Sequence, residues 1–127
     1  MTKILVIEDE ETVRENILEL LDAEGFEAIA AENGRIGLEL AKRYLPDLIL
    51  CDVRMPELDG YGVLTALRSE VTTTEIPFMF LTAKAAKTDL SYGLELGATA
   101  YITKPFTLSE LLDAIAQTLH ASKAPLT

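Results

Sequence analysis

Five short runs of nearly unbroken apolar residues, each followed by a longer segment of helical period, limit the folds open to this chain more than any other feature. They cover residues 4–7, 26–30, 48–51, 78–81 and 100–103. A strand with one wet face alternates apolar and polar side chains, whereas a strand covered on both faces does not. Most of these runs do not alternate. Each is therefore expected in a parallel sheet with helices on both sides.

The intervening segments read as helices. Val13, Ile17, Leu20, Leu21 and Glu24 follow helical spacing up to a stop at Gly25. Asn33 suits the cap of a second helix carrying Ile36, Leu40, Ala41 and Tyr44 on one side and ending before Pro46. Val63, Leu64 and Leu67 mark a third, entered through a turn at Asp59-Gly60. A fourth runs over about 88–96 and stops at Gly97. The fifth starts at Thr107, with Glu110 completing a capping box, and bears a stripe of Leu108, Leu111, Leu112, Ile115 and Leu119. The spacing predicts an α/β fold, (βα)₅, a doubly wound parallel sheet, and the strand order taken for it is the flavodoxin-like 2-1-3-4-5. Residues 1–121 make one domain with its own core; 122–127 have no core pattern and read as a tail or the start of a linker.

Composition narrows what such a domain binds. The 127 residues carry a net charge of −10 and no basic stretch, which argues against direct nucleic-acid binding by this domain, since phosphate contacts need clustered Lys and Arg. No apolar run has the length of a membrane span, and the first residues lack the layout of a signal peptide. One cysteine, Cys51, makes neither an internal disulfide nor a metal cluster. A cytoplasmic protein whose partners are proteins or cations is the expectation.

In an open parallel sheet, ligands bind beyond the carboxyl ends of the strands where strand order reverses. The first strand leads into Glu8-Asp9, the third into Asp52, the fourth into Thr82, and the fifth into Thr103-Lys104. With order 2-1-3-4-5, Glu8, Asp9 and Asp52 meet in one pocket with Lys104 and Thr82 nearby. Two carboxylates ~4 Å apart repel by about 4 kcal/mol at an effective dielectric near 20. A divalent cation removes that penalty, and a set of hard oxygens without imidazole or thiolate favours Mg²⁺. Lys104 offers a point charge for a phosphoryl oxygen, Thr82 a hydrogen bond, and Asp52 a carboxylate nucleophile. Phosphoryl transfer needs mainly positioning and charge neutralisation, which this group supplies.

The sequence resembles the receiver domain of two-component response regulators. The resemblance is carried by Val6-Ile7-Glu8-Asp9-Glu10, by 48–60 with Asp52 at its centre, by Leu81-Thr82-Ala83-Lys84, and by Tyr101-Ile102-Thr103-Lys104-Pro105-Phe106. It implies that Asp52 is the phospho-acceptor and that Glu8, Asp9, Asp52 and the backbone carbonyl of Arg54 surround Mg²⁺. It also implies a cis Lys104–Pro105 bond. A histidine kinase or histidine phosphotransfer protein would present phosphohistidine, and the receiver would catalyse only its own phosphorylation and dephosphorylation. Thr82 would then move inward and Tyr101 would pass from exposed to buried, reshaping the face of the fourth helix, fifth strand and fifth helix. That face also offers a surface for a homodimer. The tail favours a role as the regulatory part of a transcription regulator. Arg54 and Lys84 each follow a site residue by two positions, and both are expected over the pocket, where they would set the acyl phosphate's lifetime.

Blander readings stand beside these. Glu8, Asp9 and Glu10 suit a helix N-terminus, which favours acids, but that leaves Asp52 and Lys104 unexplained. Thr82 alone would be a strand-end hydroxyl, Tyr101 a β-former, Cys51 a small buried hydrophobe, and His120 a helix-end cation. Thr72, Thr73 and Thr74 form a polar loop without assigned chemistry. Among rival functions, a receiver-like domain that never takes phosphate would lack one of the key residues. A flavin or nucleotide domain would carry glycines where Glu8 and Asp9 stand. A phosphatase with an aspartyl intermediate would need an insertion to hold its substrate.

Overall fold

The computed structural model describes residues 1–83 and 87–123. Strands and helices alternate along it: β1 (Lys3–Ile7), α1 (Glu11–Ala23), β2 (Glu27–Ala31), α2 (Gly34–Tyr44), β3 (Leu48–Asp52), α3 (Gly60–Arg68), β4 (Phe78–Ala83), α4 (Lys87–Glu95), β5 (Ala100–Lys104) and α5 (Leu108–Lys123). The strands form one parallel sheet in the order β2-β1-β3-β4-β5. This is the expected doubly wound, flavodoxin-like architecture.

The lack of alternation in the runs has a direct cause. Leu5, Ile7, Ile49, Cys51, Phe78 and Phe80 point to one face, where Ala41 of α2 and Val63, Leu64 and Leu67 of α3 cover them. The residues between them, Ile4, Val6, Leu48, Leu50, Met79 and Leu81, point to the other face and meet Ile17 and Leu21 of α1 and Leu111 and Ile115 of α5. Each fully buried aliphatic side chain contributes about 1.5–3 kcal/mol, so truncating one, Leu50→Ala for example, costs about 2–5 kcal/mol.

Local signals place the helices. Asn33 Oδ1 accepts from Ile36 N at 2.8 Å. Thr107 and Glu110 form both bonds of the capping box, each 3.0 Å long. Asp59 proves to be the cap of α3, accepting from Gly62 N at 2.9 Å. Gly60 then starts α3 so close to β3 that a Cβ on it would lie 2.4 Å from the Asp52 carbonyl oxygen. The helix that follows Asp52 is thus seated directly on the end of its strand.

Some expectations shift. β2 begins at Glu27 rather than Phe26, because the Phe26 N–H is used by the end of α1, donating to Leu21 O at 3.0 Å. Tyr44 and Leu108, expected on apolar stripes, are exposed. Tyr44 sits in the last turn of α2 with the Lys3 ammonium 5.6 Å from its ring centre, and Leu108 is the first residue of α5. α5 continues through Lys123, so Ser122 and Lys123 are helical. Among the described residues no helix is long and apolar enough to cross a membrane.

Candidate functional site

Strand order reverses between β1 and β3, which are hydrogen-bonded neighbours. Glu8 and Asp9 follow the end of β1 and Asp52 ends β3, so the two strand ends bring three carboxylates to one place. An oxygen of each lies within 4.8 Å of the others. Glu8 is fully buried, Asp52 is half-buried and Asp9 is exposed. The trio is open on the Asp9 side and closed beneath.

Glu8 is the hub. Its Oε1 accepts from Lys104 Nζ at 2.8 Å, and its Oε2 accepts from Glu10 N at 3.1 Å. Lys104 stands 3.6 Å from Asp52 Oδ2, so it is shared between two acids and sits closer to Glu8. A buried carboxylate needs such a partner, because an uncompensated ion in a poorly solvated place is costly.

Electrostatics follow from this crowding. Burial, then the charge of Glu8, pushes the Asp52 carboxyl up to about 6. The nearby Lys104 ammonium pulls it back down, while a hydrogen bond with Glu8 and the charge of Asp9 add to the rise. For Lys104, burial acts to lower the ammonium's pKa, but the hydrogen bond to Glu8 and the charges of Asp52, Glu8 and Glu10 outweigh it, and the net shift is upward. Cys51, next to Asp52, is held well above the ordinary thiol range by burial and by the charges of Asp52, Glu8 and Asp59. Its thiol donates to the Asp52 carbonyl at 3.3 Å. It is a buried protonated thiol, which suits the small-hydrophobe reading.

Thr82 lies buried near the end of β4, with its hydroxyl donating to the Ala83 carbonyl at 2.9 Å. Tyr101 is outward on β5 and 42% exposed. Arg54 is exposed and lines an open groove with Met55, Pro56 and Asp59. Lys84 lies outside the described residues. The Lys104–Pro105 bond is cis. Arg14 was not legible as a site residue: its Nη1 donates to the Glu8 carbonyl at 2.8 Å. Its only sequence signal is a cation six positions after an acid, which is too common to single out.

The donor set suits a hard divalent cation, with three carboxylates and neither imidazole nor thiolate among them. A fold and pocket of this kind define a class, the small α/β module that receives a phosphoryl group on a carboxylate. The family model for the response regulator receiver domain matches residues 4–116. The chain is 44% identical over 109 residues to the probable transcriptional regulator ycf27 of Porphyridium aerugineum, covering 86% of this chain and 44% of that protein. It is 40% identical over 124 residues to the transcriptional regulatory protein PcoR of Escherichia coli, covering 98% and 54%. The chemotaxis protein CheY4 of Vibrio cholerae superposes with a TM-score of 0.89 at 29% identity, over 93% of this chain and 98% of that one. The chain belongs to the response regulator receiver domain family. It is a phospho-accepting signalling domain of two-component systems, whose receivers partner with histidine kinases. It spans about half the length of the curated relatives it matches.

Proposed function

We propose that Asp52 takes the phosphoryl group from a phosphohistidine presented by a histidine kinase or histidine phosphotransfer protein. One observation carries this reading: Asp52 ends β3 beside Glu8 and Asp9, with the Lys104 ammonium 3.6 Å from its Oδ2. In the transfer an Asp52 oxygen attacks phosphorus, the P–N bond breaks, and the imidazole leaves with the bonding electrons. Lys104 is within reach of a phosphoryl oxygen on Asp52. Thr82 would turn its hydroxyl from the Ala83 carbonyl toward that oxygen. Glu8, Asp9, Asp52 and the Arg54 carbonyl would hold Mg²⁺, which when bound supplies the positive charge that lets an anionic phosphoryl group approach three acids. The Arg54 side chain, with Lys84, would shield the acyl phosphate and lengthen its life.

The output would pass through β5. Behind Tyr101, a cleft lined by Val53, Phe80, Thr82, Leu94 and Ala98 has room for about one water molecule. An inward turn of the phenol therefore requires Leu94 or Ala98 to yield, since a packed interior does not deform continuously. This would reshape the α4–β5–α5 face, where Leu94, Tyr101 and Leu108 are exposed and available to a second copy of the chain. The domain would end with α5 and regulate the remainder of a cytoplasmic transcription regulator. It would act on no substrate beyond its own aspartyl phosphate.

Incubation with Mg²⁺ and acetyl phosphate, followed by intact-mass measurement, tests the central step. A single phosphate adduct on wild type and none on Asp52→Asn is expected. An adduct on the variant, or none on wild type even with a competent kinase, would sink the reading.

A further inference from the structure

We propose that Arg14 is a positioning residue for the acidic pair at the end of β1; the inference rests on the reading of Glu8, Asp9 and Asp52 as metal ligands. Arg14 belongs to the first turns of α1, its N–H donating to Glu10 O at 2.9 Å. Its side chain reaches back to the Glu8 carbonyl, with Nη1 to O at 2.8 Å. Residue 8 is therefore held at every polar group. Its N–H donates to Ala31 O of β2 at 3.1 Å, its carboxylate accepts from Lys104 and Glu10, and its carbonyl accepts from Arg14.

Asp9 is held differently. Among the described residues no hydrogen bond reaches its carboxylate, so its aim depends on the peptide joining it to Glu8. Arg14 fixes the oxygen of that peptide. The other natural restraint is missing, because Glu10 caps α1 without a side-chain hydrogen bond.

Two effects of Arg14 on a bound cation have opposite signs. Its charge repels the metal, so deleting it would tighten binding. Its hydrogen bond orients the Glu8–Asp9 peptide, so deleting it would weaken binding. The guanidinium is partly solvated and faces a carbonyl rather than a carboxylate, which mutes the first effect. Losing a group that orients a metal ligand lowers affinity by about 10–100-fold in characterised sites. Positioning should therefore win.

The test is Mg²⁺ titration of wild type, Arg14→Ala and Arg14→Lys, followed by amide NMR shifts at a temperature where each spectrum is that of folded protein. Affinity then refers to the folded state, separate from any loss of stability. About tenfold weaker binding is expected for Arg14→Ala, with partial recovery in Arg14→Lys, which keeps a donor. Wild-type binding with unchanged or tighter affinity in Arg14→Ala overturns the role of Arg14 alone. Weaker binding in both variants with no recovery overturns the hydrogen-bond account. Failure of wild type to bind Mg²⁺ at millimolar concentration overturns the metal site and this inference together.

Discussion

Removing the charge of Asp52 should make the metal-free domain more stable. Burial and the neighbouring Glu8 push its carboxyl from 3.8 to about 6. The folded state therefore binds this proton more tightly than the unfolded chain. The resulting penalty on the fold is absent below pH 3.8, grows between there and about 6, and is complete above it. A rise of about two pKa units corresponds to about 3 kcal/mol as a ceiling. Asp52→Asn also gives up the 3.6 Å contact with Lys104, but Lys104 keeps its 2.8 Å bond to Glu8. With that loss and some solvent screening, the net gain is about 1–2 kcal/mol. For a domain of this size that is about 4–8 °C in melting temperature. The assay is thermal unfolding in EDTA at pH 7.5 and pH 4.5, by circular dichroism, for wild type and Asp52→Asn. The variant should melt higher at pH 7.5, and the gap should narrow at pH 4.5. Adding Mg²⁺ should raise wild type more than the variant. A variant no more stable than wild type at pH 7.5 would refute the reasoning, as would a gap independent of pH.

Three further outcomes follow from the contacts. Lys104→Met strips Glu8 of its cation and should destabilise the domain by about 3 kcal/mol at pH 7.5 in urea unfolding. The Lys104 pKa is raised above 10.5, so the wild-type contribution is complete at neutral pH and lost only as pH climbs past that value, a loss the variant should not show. Arg68 ties α3 to the turn after α4, with Nε and Nη2 donating to Gly97 O at 3.2 and 2.9 Å. Arg68→Ala should cost about 1–2 kcal/mol and speed amide exchange at Gly97 and Ala98; unaltered exchange there would count against the tie. Gly60→Ala places a methyl against the Asp52 carbonyl and should cost about 1–3 kcal/mol by forcing α3 off the strand; an unchanged denaturation midpoint would mean that α3 moves without strain.

The architecture was legible because burial on both faces leaves a sequence trace. Leu48, Ile49, Leu50 and Cys51 are buried in turn on alternate sides, and only an apolar run satisfies both. Caps were legible for a different reason, since Asn33 and the Thr107–Glu110 pair act within a few residues. The start of β2 was not, because Phe26 is apolar whether its N–H serves a strand or the end of α1. Tyr44 and Leu108 followed the helical period yet stayed exposed, because at a helix end the neighbouring element no longer covers the stripe. At the site, the sequence places Glu8, Asp9, Asp52, Thr82 and Lys104 at strand ends. It does not say that Lys104 prefers Glu8 to Asp52, a preference seen in distances of 2.8 and 3.6 Å and set by how β3 and β4 pack between β5 and β1. Arg14 was illegible because its partner is a backbone carbonyl, which every residue has.

Among the described residues, β5 is the sheet's outermost strand on its side, bonded only to β4. Yet its last residue, Lys104, is tethered past β4 and β3 to Glu8 at the end of β1. The rim of the sheet is thus partly fastened by charge, with the anchor inside the pocket. A cation that took the place of Lys104 on Glu8 would slacken that fastening. The charge state of the pocket would then set how firmly the rim is held, and Tyr101 rides on the rim.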